Sequence, residues 1–276
     1  MLRTHKYAYP QLSAIDFSYF RLSGPGLANC MFIAAQAYVY SIKHNCNYLE
    51  PTWPKLSIGP ILRRERDIRF YGGLFLPFGV RGIKKLLIII ANKIHLLSNI
   101  TTYDSLGKHF LELNDYGEQI REYFYKITKK HILEQIPHNL STVVAIHIRL
   151  GDYPPQLRVP FEWLMDIIKK IHLVNPTQEV CIFSDGTDIE LKPLLDMRGV
   201  TRLSLNSAYT EMLAISKCKL LIASNSTFSA WGAWLGKVPT VFYKRSFPPL
   251  YDDGTPEIVM PTSTNLPDWV ISLLKK

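Results

Sequence analysis

Two stretches in the second half of the chain gather side chains suited to binding a phosphate or another anion. The first is His147-Ile-Arg149-Leu-Gly151-Asp152-Tyr153, which closes a short apolar run. An arginine at such a place can fork onto two phosphate oxygens, Gly151 lets the backbone turn tightly, and Asp152 can act as a base or orient the arginine. The same residues also fit an Arg–Asp pair closing a turn over a buried, hydrogen-bonded His147, and residue type leaves both readings open. The second stretch is Ser224-Asn-Ser-Thr-Phe-Ser-Ala-Trp-Gly-Ala-Trp-Leu-Gly236. Here a strand enters, a hydroxyl-rich loop follows, and a helix begins near Thr227. Ser226 or Thr227 at the N-cap would offer hydroxyl and backbone N–H groups to an anion, aided by the helix dipole. Ordinary capping of a core helix accounts for Phe228, Trp231 and Trp234 at three-residue intervals and for Gly232 and Gly236 at a close helix crossing. It does not call for a row of hydroxyl and amide side chains.

Two further segments carry weaker signals. Phe183-Ser184-Asp185-Gly186 leaves another strand, where an acid could bind ribose hydroxyls or a base edge, although Ser-Asp-Gly is also an ordinary exit turn. Asp185-Gly-Thr-Asp188 lacks the further carboxylates a metal would need. Gly24-Pro-Gly26-Leu-Ala-Asn29 half-matches a dinucleotide fingerprint, with Glu50 closing the next strand. Asn29 stands where the third glycine would be, and Pro25 sits inside the turn.

The elements that must position these residues read as α/β. Ile15–Leu22 is expected to be a strand, followed by a turn at Ser23–Gly26, a helix over 28–43 and a second strand around Tyr48. Residues 116–131 have near-helical apolar spacing at Ile120, Phe124 and Ile127. In the second half, 143–149, 180–183, 220–223 and 238–243 read as strands, with helices at 161–172 and 267–274. Strands alternating with helices imply parallel sheet. The expected division is residues 1–138 and 139–276, with Pro137-His138-Asn139 as linker.

The chain of 276 residues, 47% hydrophobic and 12% aromatic, is long enough for one or two real cores and excludes disorder. Its formal net charge of +9 calls for an anionic partner. Nucleic acid, an anionic membrane face and a pyrophosphate compound would each serve. The basic residues are scattered, as at Arg63, Arg64, Arg66 and Arg69, and no nucleic-acid-reading motif accompanies them, so nucleic acid is not expected. Four cysteines without paired spacing fit a reducing compartment, and the N-terminal residues show no apolar run like a signal peptide. The most apolar stretch, Leu86–Leu97, is broken by Asn92, Lys93 and His95 and is too short to span a bilayer. The expectation is a cytoplasmic protein with room for peripheral contact at the inner membrane face.

Taken in order, His-Ile-Arg-Leu-Gly-Asp-Tyr, Phe-Ser-Asp and Ser-Asn-Ser-Thr-Phe-Ser-Ala-Trp-Gly-Ala-Trp-Leu resemble the α-1,2-fucosyltransferase family, with Pro25-Gly-Leu-Ala-Asn-Cys-Met-Phe32 in place of its N-terminal glycine motif. The resemblance implies a GT-B-like α/β fold of two Rossmann-like units facing across a cleft, the first on the acceptor side and the second binding the nucleotide sugar. It implies inverting transfer from GDP-fucose to a glycan or lipid-linked oligosaccharide, without a metal or other cofactor, in surface polysaccharide synthesis. Arg149 would neutralise the pyrophosphate, with Asp152 and His147 completing the catalytic set. Ser226, Thr227 and Phe228, with Asn225, would hold phosphates and sugar. Ser184 and Asp185 would help bind the nucleoside, and Gly26 and Asn29 would reach the donor from the first unit. The family's second arginine is Leu150 here, and Gly186 replaces a second aspartate. The rival readings are a nicotinamide-dependent oxidoreductase built on Gly24, Gly26 and Glu50, and a binding protein without turnover.

Overall fold

The computed structural model describes residues 6–56, 70–96, 99–151, 153–262 and 265–276, and divides into two compact units, Met1–Ile132 and Leu133–Lys276. Arg63, Arg64, Arg66, Arg69 and Asp152 lie outside the described residues.

In the first unit, β1 (Tyr7–Pro10) is the middle strand of a three-stranded parallel sheet, between β4 (Asn47–Tyr48) and β6 (Ile100–Tyr103). Helix α1 (Leu27–Lys43) covers it. Its run of small and apolar residues buries most of its length, including Met31, Phe32 and Ala34–Ala35. A second small sheet joins β2 (Ile15–Asp16), β3 (Arg21–Leu22) and β5 (Lys55–Leu56).

The single strand expected over Ile15–Leu22 is instead an antiparallel hairpin. The Asp16 carboxylate accepts the Ser18 N–H at 2.7 Å, and Ser18 takes a φ of 70°, so a local side-chain turn outcompetes continued extension. The helix expected over 116–131 is α3 (Gly117–Ile127), which stops where Thr128 becomes extended and its Oγ1 donates to Phe124 O at 2.6 Å. Between β5 and α3 lies α2 (Gly82–Lys93), whose inward residues Ile88 and Ile89 pack with Tyr9 and Leu49. Lys85 on the same inward side is fully buried, donating from Nζ to Glu50 O at 2.6 Å and pairing with Asp16 at 3.3 Å.

The second unit is a six-stranded, all-parallel sheet in the order β12-β11-β10-β7-β8-β9. The strands are β7 (Val144–Ile148), β8 (Val180–Ser184), β9 (Val200–Arg202), β10 (Leu220–Ala223), β11 (Thr240–Phe242) and β12 (Glu257–Val259). Every residue of β7, β8 and β10 is buried, as a strand covered on both faces requires. The connecting helices are α4 (Phe161–Val174), α5 (Asp188–Leu195), α6 (Ala208–Ile215) and α7 (Thr227–Gly236), and α8 (Asp268–Leu274) packs on α4. The chain runs outward from β7 through β8 to β9, then returns to the other side of β7 as β10. The strand order therefore reverses between β7 and β10, and such a reversal opens a crevice at the carboxyl ends of the two strands.

Candidate functional site

Both chemistry-bearing stretches of the second unit emerge at that crevice. Arg149 and Leu150 follow directly on β7, Ser224–Ser226 follow on β10, and Ser184-Asp185-Gly186 leaves β8 alongside. The register places His147 opposite both Ala223 and Phe183, so three exit loops start at one level of the sheet.

Asp185 organises the first two loops. Its Oδ2 lies 3.3 Å from Arg149 Nε, and its Oδ1 accepts the Leu150 N–H at 2.8 Å. Both side chains of the ion pair keep partial exposure, 26% for Arg149 and 34% for Asp185, so the pair sits at a surface. The backbone is tightly packed on each side of this contact, at Gly151 and Gly186. A Cβ on Gly151 would come within 3.0 Å of Asp185 Oδ2, and one on Gly186 would overlap Leu150 Cδ1 while lying 3.2 Å from Leu150 Cβ. Leu150 itself is buried, so its side chain seals the seam between the two turns.

Ser226 is the N-cap of α7: its backbone is extended and its Oγ accepts the Phe228 N–H at 3.2 Å. Thr227 is the first helical residue, so the positive end of the α7 dipole begins just past β10, the strand beside β7. Trp231 and Trp234 are fully buried and meet edge to face at 5.4 Å, so they belong to the core. Gly232 would place a Cβ 2.8 Å from Ile215 Cγ2, and one on Gly236 would overlap the Ser216 backbone, which fits the close crossing of α6 and α7.

His147 is 5% exposed. Its Nδ1 lies 2.5 Å from Ser229 Oγ and 3.3 Å from Ser224 Oγ, and its ring stacks on Phe228 with centroids 4.8 Å apart. Burial, reinforced by the positive charge of Arg149, pushes its pKa down to about 3. The imidazole is therefore a neutral strut between β7 and α7 at ordinary pH, and a weak base.

Several candidates are committed to holding loops. The Asn225 Oδ1 accepts from Ser246 N at 2.9 Å and Ser246 Oγ at 3.0 Å, while Asn225 O accepts the Tyr153 hydroxyl at 2.6 Å. Ser184 is buried and its Oγ accepts the Gly186 N–H at 3.1 Å. Arg202, a residue no motif pointed to, binds Ser184 O at 3.1 Å, Gly186 O at 2.7 Å and the Asp188 carboxylate, bracing the turn that presents Asp185. Its position at the end of β9 gives it no local sequence signal. Ser229 was legible only as one more hydroxyl of the serine-rich run, one helical turn beyond Ser226.

Gly26 and Asn29 belong to the first unit. Gly26 precedes α1 in an extended conformation, and Asn29 lies half-buried in the first turn. The glycine loop is held through its carbonyls: Lys55 Nζ donates to Gly24 O at 2.7 Å, and the buried Arg21 donates to Ser23 O. It follows β3 in the small mixed sheet, whereas a dinucleotide fingerprint leaves the parallel sheet directly. Among the described residues, no group of three or more His, Cys, Asp or Glu side chains converges, and no helix is long and apolar enough to cross a membrane.

Residues 92–270 match the sequence model of the family described as Glycosyl transferase family 11. A relative, the O-antigen biosynthesis glycosyltransferase WbnK of Escherichia coli, is 29% identical over 115 residues, which is 38% of this chain and 38% of that protein. Among solved structures, the NodZ alpha-1,6-fucosyltransferase co-crystallized with GDP is similar with a TM-score of 0.50 at 13% identity, covering 80% of this chain and 92% of that one. A further NodZ structure, from Bradyrhizobium, has a TM-score of 0.49 at 14% identity, covering 83% and 95%. The α/β, GT-B-like fold class expected from the sequence holds.

Proposed function

The chain belongs to glycosyl transferase family 11, and from that premise we propose that it moves fucose from GDP-fucose to a glycan hydroxyl with inversion at the anomeric carbon. The observation that carries this reading is that Arg149 leaves β7 and the Ser226-capped helix α7 follows the neighbouring β10, at the strand-order reversal of an all-parallel sheet. As the acceptor oxygen bonds to the anomeric carbon, the glycosyl–phosphate bond breaks and negative charge collects on the departing diphosphate. Arg149 and the N-terminal end of the α7 dipole, with the Ser226 and Thr227 hydroxyls, supply positive potential that is already in place, which is often the largest single catalytic contribution. The acceptor's proton passes to a base, for which Asp152 is our candidate. His147 is too weak a base for that role and serves as a positioning residue.

The GDP-bound fucosyltransferase of similar fold supports the donor assignment, and the O-antigen relative supports a glycan or lipid-linked oligosaccharide acceptor in surface polysaccharide assembly. Calorimetry with GDP, UDP and dTDP tests the donor. GDP is expected to bind tightest, and equal or tighter binding of UDP or dTDP would overturn the GDP assignment.

A further inference from the structure

Helix α2 is apolar on two opposite sides, and only one of them has work in the fold. Ile88 and Ile89 face the core of the first unit with the buried Lys85. Ile83, Leu87, Ile90 and Ile94, spaced i, i+4, i+7 and i+11, form a narrow stripe on the other side, and each is between 45% and 66% exposed. Leu96, just past the helix, is 74% exposed. An apolar stripe of this length on a surface helix ordinarily marks a contact.

The surroundings indicate what it contacts. At 100° per residue, Lys84 and Lys93 fall on either flank of the stripe, and both are exposed, as is Arg81. Arg81–Leu96 contains no aspartate or glutamate. The hairpin between β2 and β3 abuts the start of the helix, with Ser18 Oγ donating to Gly82 O at 2.8 Å, and it carries the exposed aromatics Phe17, Tyr19 and Phe20. An apolar stripe between lysines, with aromatics at one end, is the pattern of a helix lying in the plane of an anionic bilayer surface. A second copy of this chain fits poorly, because a two-fold contact through the stripe would bring like-charged lysine flanks together.

We propose that α2 and the adjoining Phe17–Phe20 hairpin tip form a membrane-docking face that inserts its apolar stripe into an anionic lipid surface. The proposal is independent of the donor, and its test uses no nucleotide. The full chain is co-sedimented with phosphatidylcholine vesicles with and without phosphatidylglycerol. Binding is expected to require phosphatidylglycerol and to weaken with salt. Leu87→Gln with Ile90→Gln should lower partitioning about tenfold or more. Lys84→Gln with Lys93→Gln, which leaves the apolar residues alone, should lower binding to anionic vesicles by about tenfold. Ile189→Gln, at an 85% exposed position on α5, should change nothing. The proposal is overturned if the wild-type chain ignores phosphatidylglycerol vesicles, or if both double variants, folded by circular dichroism, bind as wild type does. It is equally overturned if sedimentation velocity shows a wild-type dimer that L87Q/I90Q disperses while vesicles bind neither protein.

Discussion

Asp185 holds Arg149 from the Nε side, at 3.3 Å, and spends its other oxygen on the backbone N–H of Leu150. One carboxylate thus sets both the direction of the guanidinium and the path of the chain that carries it. This geometry gives Asp185 a positioning role toward Arg149 that reading it as a nucleoside ligand did not include.

The first prediction concerns Arg149 itself. Lysine keeps the charge but loses the planar fork and the Nε that faces Asp185. Arg149→Lys should remain folded, retain part of its GDP affinity, and lose turnover by about 10²–10³-fold. Steady-state kinetics beside a melting curve checks this, and near-normal turnover in a folded variant would move the leaving-group site elsewhere.

The second separates the two duties of Asp185. Asp185→Asn keeps an acceptor for the Leu150 N–H and removes the charge pair, while Asp185→Ala removes both. The expected order of turnover is wild type above Asn above Ala, with GDP affinity following. The Ala variant alone should also lose thermal stability, since it strands the Leu150 N–H, which typically costs about 1–3 kcal/mol.

The third addresses the seam between Leu150 and Gly186. A methyl group at 186 would overlap Leu150 Cδ1, so Gly186→Ala should displace the Asp185 turn and reduce both turnover and GDP binding about tenfold or more. Leu150→Val removes the overlapping atom, and the double variant should recover most of the loss. Failure of the second substitution to rescue would show that the contact does not set the site.

The fourth is a pH effect on stability. Burial holds His147 neutral, with a pKa near 3 in the folded protein against about 6.5 in the unfolded chain. The unfolded state therefore binds the extra proton first, and the stabilisation, complete above about pH 6.5, drains away as pH falls toward 3. Melting temperatures of wild type and His147→Gln should converge between pH 6.5 and 5, before most carboxylates titrate. A constant gap across that window would contradict the neutral, buried assignment.

The fifth concerns metal. In the proposed mechanism Arg149 and the α7 N-terminus supply the positive potential for the diphosphate, so transfer should persist in EDTA. Loss of activity restored by Mg²⁺ or Mn²⁺ would place a cation in the mechanism.

Much of the second unit could be read directly from the chain. Residues 180–183 and 220–223 are short apolar runs, and 143–149 is one broken only by His147 before it ends at Arg149; each leads into a polar turn, and buried parallel strands leave that mark. The first unit was less legible. β1 is four residues ending in proline, β4 is two residues, and the Asp16 side chain diverts what looks like a strand into a hairpin. The site's two main motifs were visible because polar residues cluster where strands end. Arg202 was not, because it acts through backbone carbonyls of a turn far away in sequence, and the bonded pairs His147–Ser229 and Tyr153–Asn225 depend on tertiary contact alone.

The position of β7 at the centre of its sheet also has a consequence for how the protein is made. Its partner on one side, β8, follows within about one helical crossover, but its other partner, β10, begins only at Leu220. At ribosomal speeds of roughly 5–20 residues per second, the strand that leads into Arg149 waits several seconds with one hydrogen-bonding edge open. That apolar edge stays unpaired for longer than a chain of this size needs to collapse, and open edges of this kind favour aggregation until the partner strand arrives.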